Sequence, residues 1–141
     1  MGLGYTRSDL RANAQAKLDD ALLLWQNGRY SNAYYLAGYA VEIALKACVA
    51  AQIVAETIPD KELIRKIFNH EFNVLVGLAG LSAELKENQD KDSEFATNWA
   101  VASRWSPDIR DEVVDQTSAQ VFIDAIADAR SGVLQWIRAH W

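Results

Sequence analysis

The stretch from Ser31 to Glu56 constrains the fold more than any other part of this chain. Its apolar residues recur at helical spacing, yet they wrap most of the circumference. Tyr34, Val41, Leu45 and Cys48 fall along one side, and Leu36, Ala40, Ile43, Ala47 and Ala50 along another. A helix with two apolar sides is unstable at a surface, because each side left in water costs roughly 25 cal/mol per Å2. It belongs at the centre of a bundle. Ala37, Gly38, Ala40 and Ala44 add small side chains that let neighbouring helices approach closely. One stripe stays polar, carrying Tyr35, Tyr39, Glu42 and Lys46. Glu42 precedes Lys46 by four, an order worth about 0.3 kcal/mol on an exposed face.

The rest of the chain reads as companions to this rod. A first helix is predicted from Ser8 to Asn27, with Ser8 as its cap and Leu10, Ala14, Leu18, Ala21, Leu22 and Trp25 on one face. Gly28 ends it. Beyond the joint Thr57–Asp60, short helices are predicted over Lys61–Phe68 and Glu71–Gly80, and another begins after Ser82. The polar run Lys86–Glu94 reads as a solvated helix face or a loop. Helix resumes through Phe95, Trp99 and Ala102 and stops at Ser106-Pro107-Asp108. A last helix runs from Thr117 almost to the end. Thr117 and Gln120 form a capping box, and Phe122, Ile126, Ala129, Val133 and Trp136 share a face. The sum is an all-α, up-and-down helical bundle of four to five main helices, a single domain spanning 1–141.

Charge and residue counts exclude several classes of function. The net charge is −5, so the chain cannot grip nucleic acid by bulk charge, although a local basic cleft remains open to it. Cys48 is the one cysteine, which excludes an internal disulfide and a multi-cysteine zinc site. His70 and His140 match no metal-ligand spacing, and no phosphate loop or dinucleotide fingerprint is present. No metal and no cofactor are expected. Met1–Thr6 shows no basic region followed by an apolar run, and Glu42 and Lys46 interrupt the longest apolar stretch. A cytoplasmic location without membrane association is therefore expected.

Few residues offer chemistry. Arg65 and His70 are separated by four residues, a guanidinium and an imidazole that would suit acid–base work on a phosphodiester if they converged. Five steps on a continuous helix leave them roughly 140° apart. The plainer reading has His70 hydrogen-bonding at a helix start and Arg65 in solvent. Arg104 and Arg110 flank the Trp105-Ser106-Pro107-Asp108 turn. They could hold a phosphate, or pair with Asp108, Asp111 or Glu112 in a surface network, and the network is the expectation. His140 beside Trp136 reads as incidental, and Cys48 as a core residue. The chain holds five tryptophans. Trp99 and Trp105, together with the Tyr35/Tyr39 stripe, are expected to form an interface in a homodimer.

The segment from Leu24 to Ala47 contains Gly28-Arg29-Tyr30, then Ala33-Tyr34-Tyr35-Leu36-Ala37-Gly38, then Val41-Glu42 and Leu45-Lys46. This pattern resembles the HEPN family of small helical bundles. His70 with Leu75 and Gly80-Leu81, Asn98-Trp99, Arg104-Trp105-Ser106, Arg110 and the final helix extend the resemblance over about residues 8 to 138. The resemblance implies a four- or five-helix bundle, commonly a homodimer, tied to nucleotides or RNA. Some members are metal-independent endoribonucleases, often toxins paired with a small nucleotidyltransferase, and those carry an Arg-x4–6-His motif late in the bundle. The matching stretch here, Asn98–Glu112, supplies Arg104, and Arg110 stands where the histidine would be. The implied function is a non-enzymatic module binding a nucleotide, RNA or partner protein, within a toxin–antitoxin or defence system. The alternative is an endoribonuclease using Arg65 and His70. A second alternative is an interaction scaffold, since Trp25, Gly28-Arg29-Tyr30, Ala33 and Ala37 are also similar to one tetratricopeptide unit.

Overall fold

The computed structural model describes residues 4–141, and every regular element among them is helical. Part of the leader reading of residues 1–6 thus lies outside the described residues. Helices α1 (Arg7–Gln26) and α2 (Tyr30–Ala50) form a long hairpin. Short α3 (Lys61–Ile67) and α4 (Phe72–Leu78) follow, then α5 (Ser82–Lys91) and α6 (Ser93–Ala102). A 3-10 turn at Pro107–Asp111 leads to α7 (Gln116–Ala127) and α8 (Val133–Arg138). Eight α-helices stand where four to five main ones are expected. No second hairpin repeats the lengths of α1 and α2, so a tetratricopeptide array has no counterpart among the described residues.

Helix α2 is the hub. It packs against α1, α4, α7, α8 and the 3-10 turn. Val41, Ala44, Leu45 and Val49 are fully buried, and so are Ala33, Ala37, Ala40 and Ala47. By length and hydropathy α2 is the one described helix apolar enough to cross a membrane, but 67% of that stretch is buried inside the bundle. Enclosure by its own chain accounts for its composition. The helix stops at Ala50 instead of reaching Glu56. Residues 51 to 58 are exposed, and without packing an added helical turn has little to hold it.

Both helix starts that the sequence places at hydroxyls shift by two residues. Thr6, not Ser8, caps α1: its Oγ1 accepts from the Asp9 N–H and the Asp9 carboxylate accepts from the Thr6 N–H, both at 3.0 Å. Asp115, not Thr117, caps α7, accepting from the Ser118 N–H at 2.7 Å. A carboxylate is the stronger acceptor there, and its charge meets the positive end of the helix dipole.

The predicted last rod is also broken. Asp128 leaves helical geometry and its carboxylate accepts from the N–H groups of Arg130 and Ser131. A Cβ on Gly132 would collide with the Asp128 carbonyl, so the close return requires glycine. The break turns α8 back so that Val133, Leu134 and Ile137 are buried. It is tied to the α5–α6 joint as well. Ser131 Oγ donates to Asp92 at 2.9 Å, and Asn98 Nδ2 donates to the Ser131 carbonyl at 3.0 Å. Asp92 has extended backbone and caps α6 by accepting from the Phe95 N–H at 3.0 Å.

These capping carboxylates give the fold a pH dependence. Backbone N–H donation holds the Asp9, Asp92 and Asp115 carboxyls below their ordinary value of 3.8, with the hydroxyls of Thr6, Ser131 and Ser118 respectively assisting. The unfolded chain therefore binds these protons more readily than the folded one. The stability they confer is complete above the ordinary value and is lost as pH falls through the lower folded-state values. The urea midpoint should drop as pH is lowered below about 4, and Asp92→Asn, which keeps an acceptor but cannot titrate, should flatten part of that drop.

Candidate functional site

The segment after α6 is fixed by one aromatic contact. Trp105 lies over Gly38 of α2, and a Cβ at position 38 would fall inside its indole. Phe72 stacks on it with centroids 5.8 Å apart, and Tyr35 lies at 6.0 Å. Trp105 is only 4% exposed, and its Nε1 is buried without a hydrogen-bond partner. Trp99 is buried too, donating from Nε1 to Asn73 Oδ1 at 3.2 Å. Here the reading of Trp99 and Trp105 as interface residues needs correction. The gap left by Gly38 and the stack against Phe72 draw these rings into the chain's own core. Tyr35 and Tyr39 remain half-buried on the polar stripe, their rings parallel to within 6° at 6.1 Å.

The anchored Trp105 sets out two cations. Arg104 precedes it, and Arg110 closes the 3-10 turn that Ser106 caps by accepting from the Asp108 N–H at 3.2 Å. Both arginines are exposed, and among the described residues neither makes an ion pair. The expected network with Asp108, Asp111 or Glu112 is absent there. Burial pushes the Tyr34 phenol up, the Glu112 charge adds to this and Arg104 opposes it, which places both charges near that ring.

A second cluster lies on the same stripe of α2. Glu42, which the helical pattern places beside Lys46 on an exposed face, is 2% exposed. Its Oε2 accepts from Lys46 Nζ at 3.2 Å and its Oε1 from His70 Nδ1 at 2.6 Å. His70 sits between α3 and α4 with its side chain 53% exposed, which leaves Nε2 as the ring nitrogen open to solvent. Burial raises the Tyr39 phenol, and the Glu42 charge raises it further. Arg65 takes no part: it donates to Glu62 at 2.6 Å on the exposed face of α3. Arg65 and His70 are thus each committed to a different carboxylate.

The Glu42–His70 pair spans 28 residues and escapes any local pattern. Its signal is a lone acid in an otherwise apolar helix, which needs a second hydrogen-bond partner from elsewhere. His140 packs on Trp136 at 5.1 Å. Cys48 is buried, and desolvation pushes its thiol up to about 11, so it is an inert core group.

If Gly38 makes room for Trp105, Gly38→Ala should expel the indole. The expected loss is roughly 1–3 kcal/mol in urea unfolding, the usual cost of overpacking. A red shift in tryptophan emission should accompany it. An unchanged midpoint and spectrum would show that the turn is anchored by other means.

In a comparison with known families, the family model described as HEPN domain matches residues 8–138. No curated protein and no solved structure matches the chain.

Proposed function

This chain belongs to the HEPN domain family, and on that premise we propose that it is a non-enzymatic module that binds the phosphate-bearing end of a nucleotide or RNA. One observation carries the reading. Arg104 and Arg110 are exposed on either side of one anchored turn, and among the described residues neither makes an ion pair, so their N–H donors stay available beside the acids of the same segment. Planar guanidiniums bind phosphate oxygens through two parallel N–H donors. Tyr35 lies beside Trp105, and Tyr35 and Tyr39 offer parallel aromatic faces on which a base can stack. With a net charge of −5, binding has to rely on such a local site. The wider assembly rests on the family alone: a homodimer, and a nucleotidyltransferase partner in a toxin–antitoxin or defence system.

Titration with a 5′-phosphorylated oligoribonucleotide, read by fluorescence anisotropy, tests the proposal. The Arg104→Ala/Arg110→Ala double variant should bind at least about tenfold more weakly, the scale of one or two charge-assisted hydrogen bonds. The wild type should also favour the phosphorylated end over the same strand without it. Equal affinity in both comparisons would refute the reading.

A second reading draws on the Glu42–His70 contact. A buried carboxylate that fixes an imidazole and leaves its other nitrogen free is an arrangement suited to general-base catalysis, and Lys46 supplies a neighbouring cation. It corresponds to a metal-independent endoribonuclease that uses His70 without Arg65. RNA cleavage in the presence of EDTA, abolished in His70→Ala, would replace the first reading with this one. Intact RNA after prolonged incubation would remove it.

A further inference from the structure

The side of the bundle formed by α1 and α7 carries a groove that neither reading uses. It is lined by Leu22, Trp25 and Gln26 from α1 and by Gln120, Ile123 and Asp124 from α7, and encloses about 160 Å3. That volume suits one large apolar side chain, since a buried apolar cavity of about 150 Å3 accepts benzene. Trp25 forms a fixed wall, its Nε1 donating to the Gln116 carbonyl at 3.4 Å. Leu22 is 38% exposed, and the next residues along each helix, Leu23 and Val121 on from Gln120, are 59% and 52% exposed.

The one charged residue that lines the groove is an acid, and the basic residues Lys17 and Arg29 lie just outside the α1 stretch that borders it. The α1 residues from Leu18 to Asn27 contain Asp19 and Asp20 and no Lys, Arg or His. The stretch from Asp115 to Ala127 contains Asp115 and Asp124 and again no basic residue. Asp124 itself lines the groove. Such a face repels a phosphate backbone and attracts a cationic segment. A slot for one bulky apolar residue, bordered by aspartates, matches the helix-in-groove mode of recognition, in which a central apolar anchor supplies affinity and flanking charges supply orientation.

We propose that the α1–α7 groove is a docking site for a basic amphipathic helical segment of a partner protein, with one leucine- or phenylalanine-sized anchor between lysines or arginines. The inference does not rest on the nucleotide reading, because it uses another face and other residues. The test is calorimetric titration of the full chain with a synthetic helical peptide carrying a leucine stripe flanked by lysines. A twin with glutamate at each lysine position is the control. The lysine peptide should bind with a micromolar dissociation constant that weakens with added salt, and the glutamate twin at least about tenfold more weakly. Asp124→Lys and Leu22→Gln should each reduce binding by a similar factor. Both side chains are exposed, and circular dichroism checks that the helices persist. Absence of saturable binding, equal binding of the twin, or indifference to both variants would overturn the proposal. So would sedimentation showing self-association that Leu22→Gln abolishes, which would identify a second copy of the chain as the occupant.

Discussion

The enclosure of α2 is the constraint on which everything else in this bundle depends. A helix buried along Val41, Ala44, Leu45 and Val49 on one side and along Ala40, Ile43 and Ala47 on the other cannot be covered by a single partner. Helix α1 covers one face, and α4, α7, α8 and the 3-10 turn share the remainder. Short helices follow from this geometry. A chain that must wrap a central rod turns often, and each turn here is secured by a local device: Asp92 and Ser131 at two joints, Gly132 at a close return, Asp60 capping α3.

Burial of the rod extends to its one acidic residue. An uncompensated carboxylate at Glu42 would be costly, so the fold must bring donors to it. Lys46 comes with the helix itself, one turn along. His70 does not, and reaching it fixes where the α3–α4 connection crosses α2. Such a pair adds little net stability over apolar replacements of the same shape, but it specifies a position. The opposite device operates four residues earlier on α2, where Gly38 leaves a gap for Trp105. A polar contact and a steric vacancy thus register two separate segments on the same helix.

How far the sequence discloses this follows from the range of the interactions. The identity and central place of α2, the stop at Gly28 with its φ of +77° and the short helices after Pro59 are set by residues within a turn or two of one another, and they are legible. The caps shift because hydroxyl and carboxylate candidates lie close together at Thr6/Ser8 and Asp115/Thr117, and pattern alone does not rank them. The break at Asp128 is hidden because Val133 and Trp136 keep the helical spacing across it. The site is less legible still. Arg104 and Arg110 stand out by composition, but whether nearby acids neutralise them depends on backbone geometry. That Trp105 belongs to the core depends on a glycine more than sixty residues away in the chain.

The distribution of charge then separates what different faces can do. Screening confines each exposed charge to roughly 8–10 Å at physiological salt, so a net charge of −5 is less informative than its local sign. The turn bearing Arg104 and Arg110 also carries Asp108, Asp111 and Glu112, so the proposed phosphate contact rests on directional N–H donors and not on a bulk positive field. The α1–α7 groove has Asp124 as its one charged lining residue, beside the exposed Leu22. Any coupling between the α1–α7 face and the arginine turn would run through α2, against which both α1 and the 3-10 turn pack.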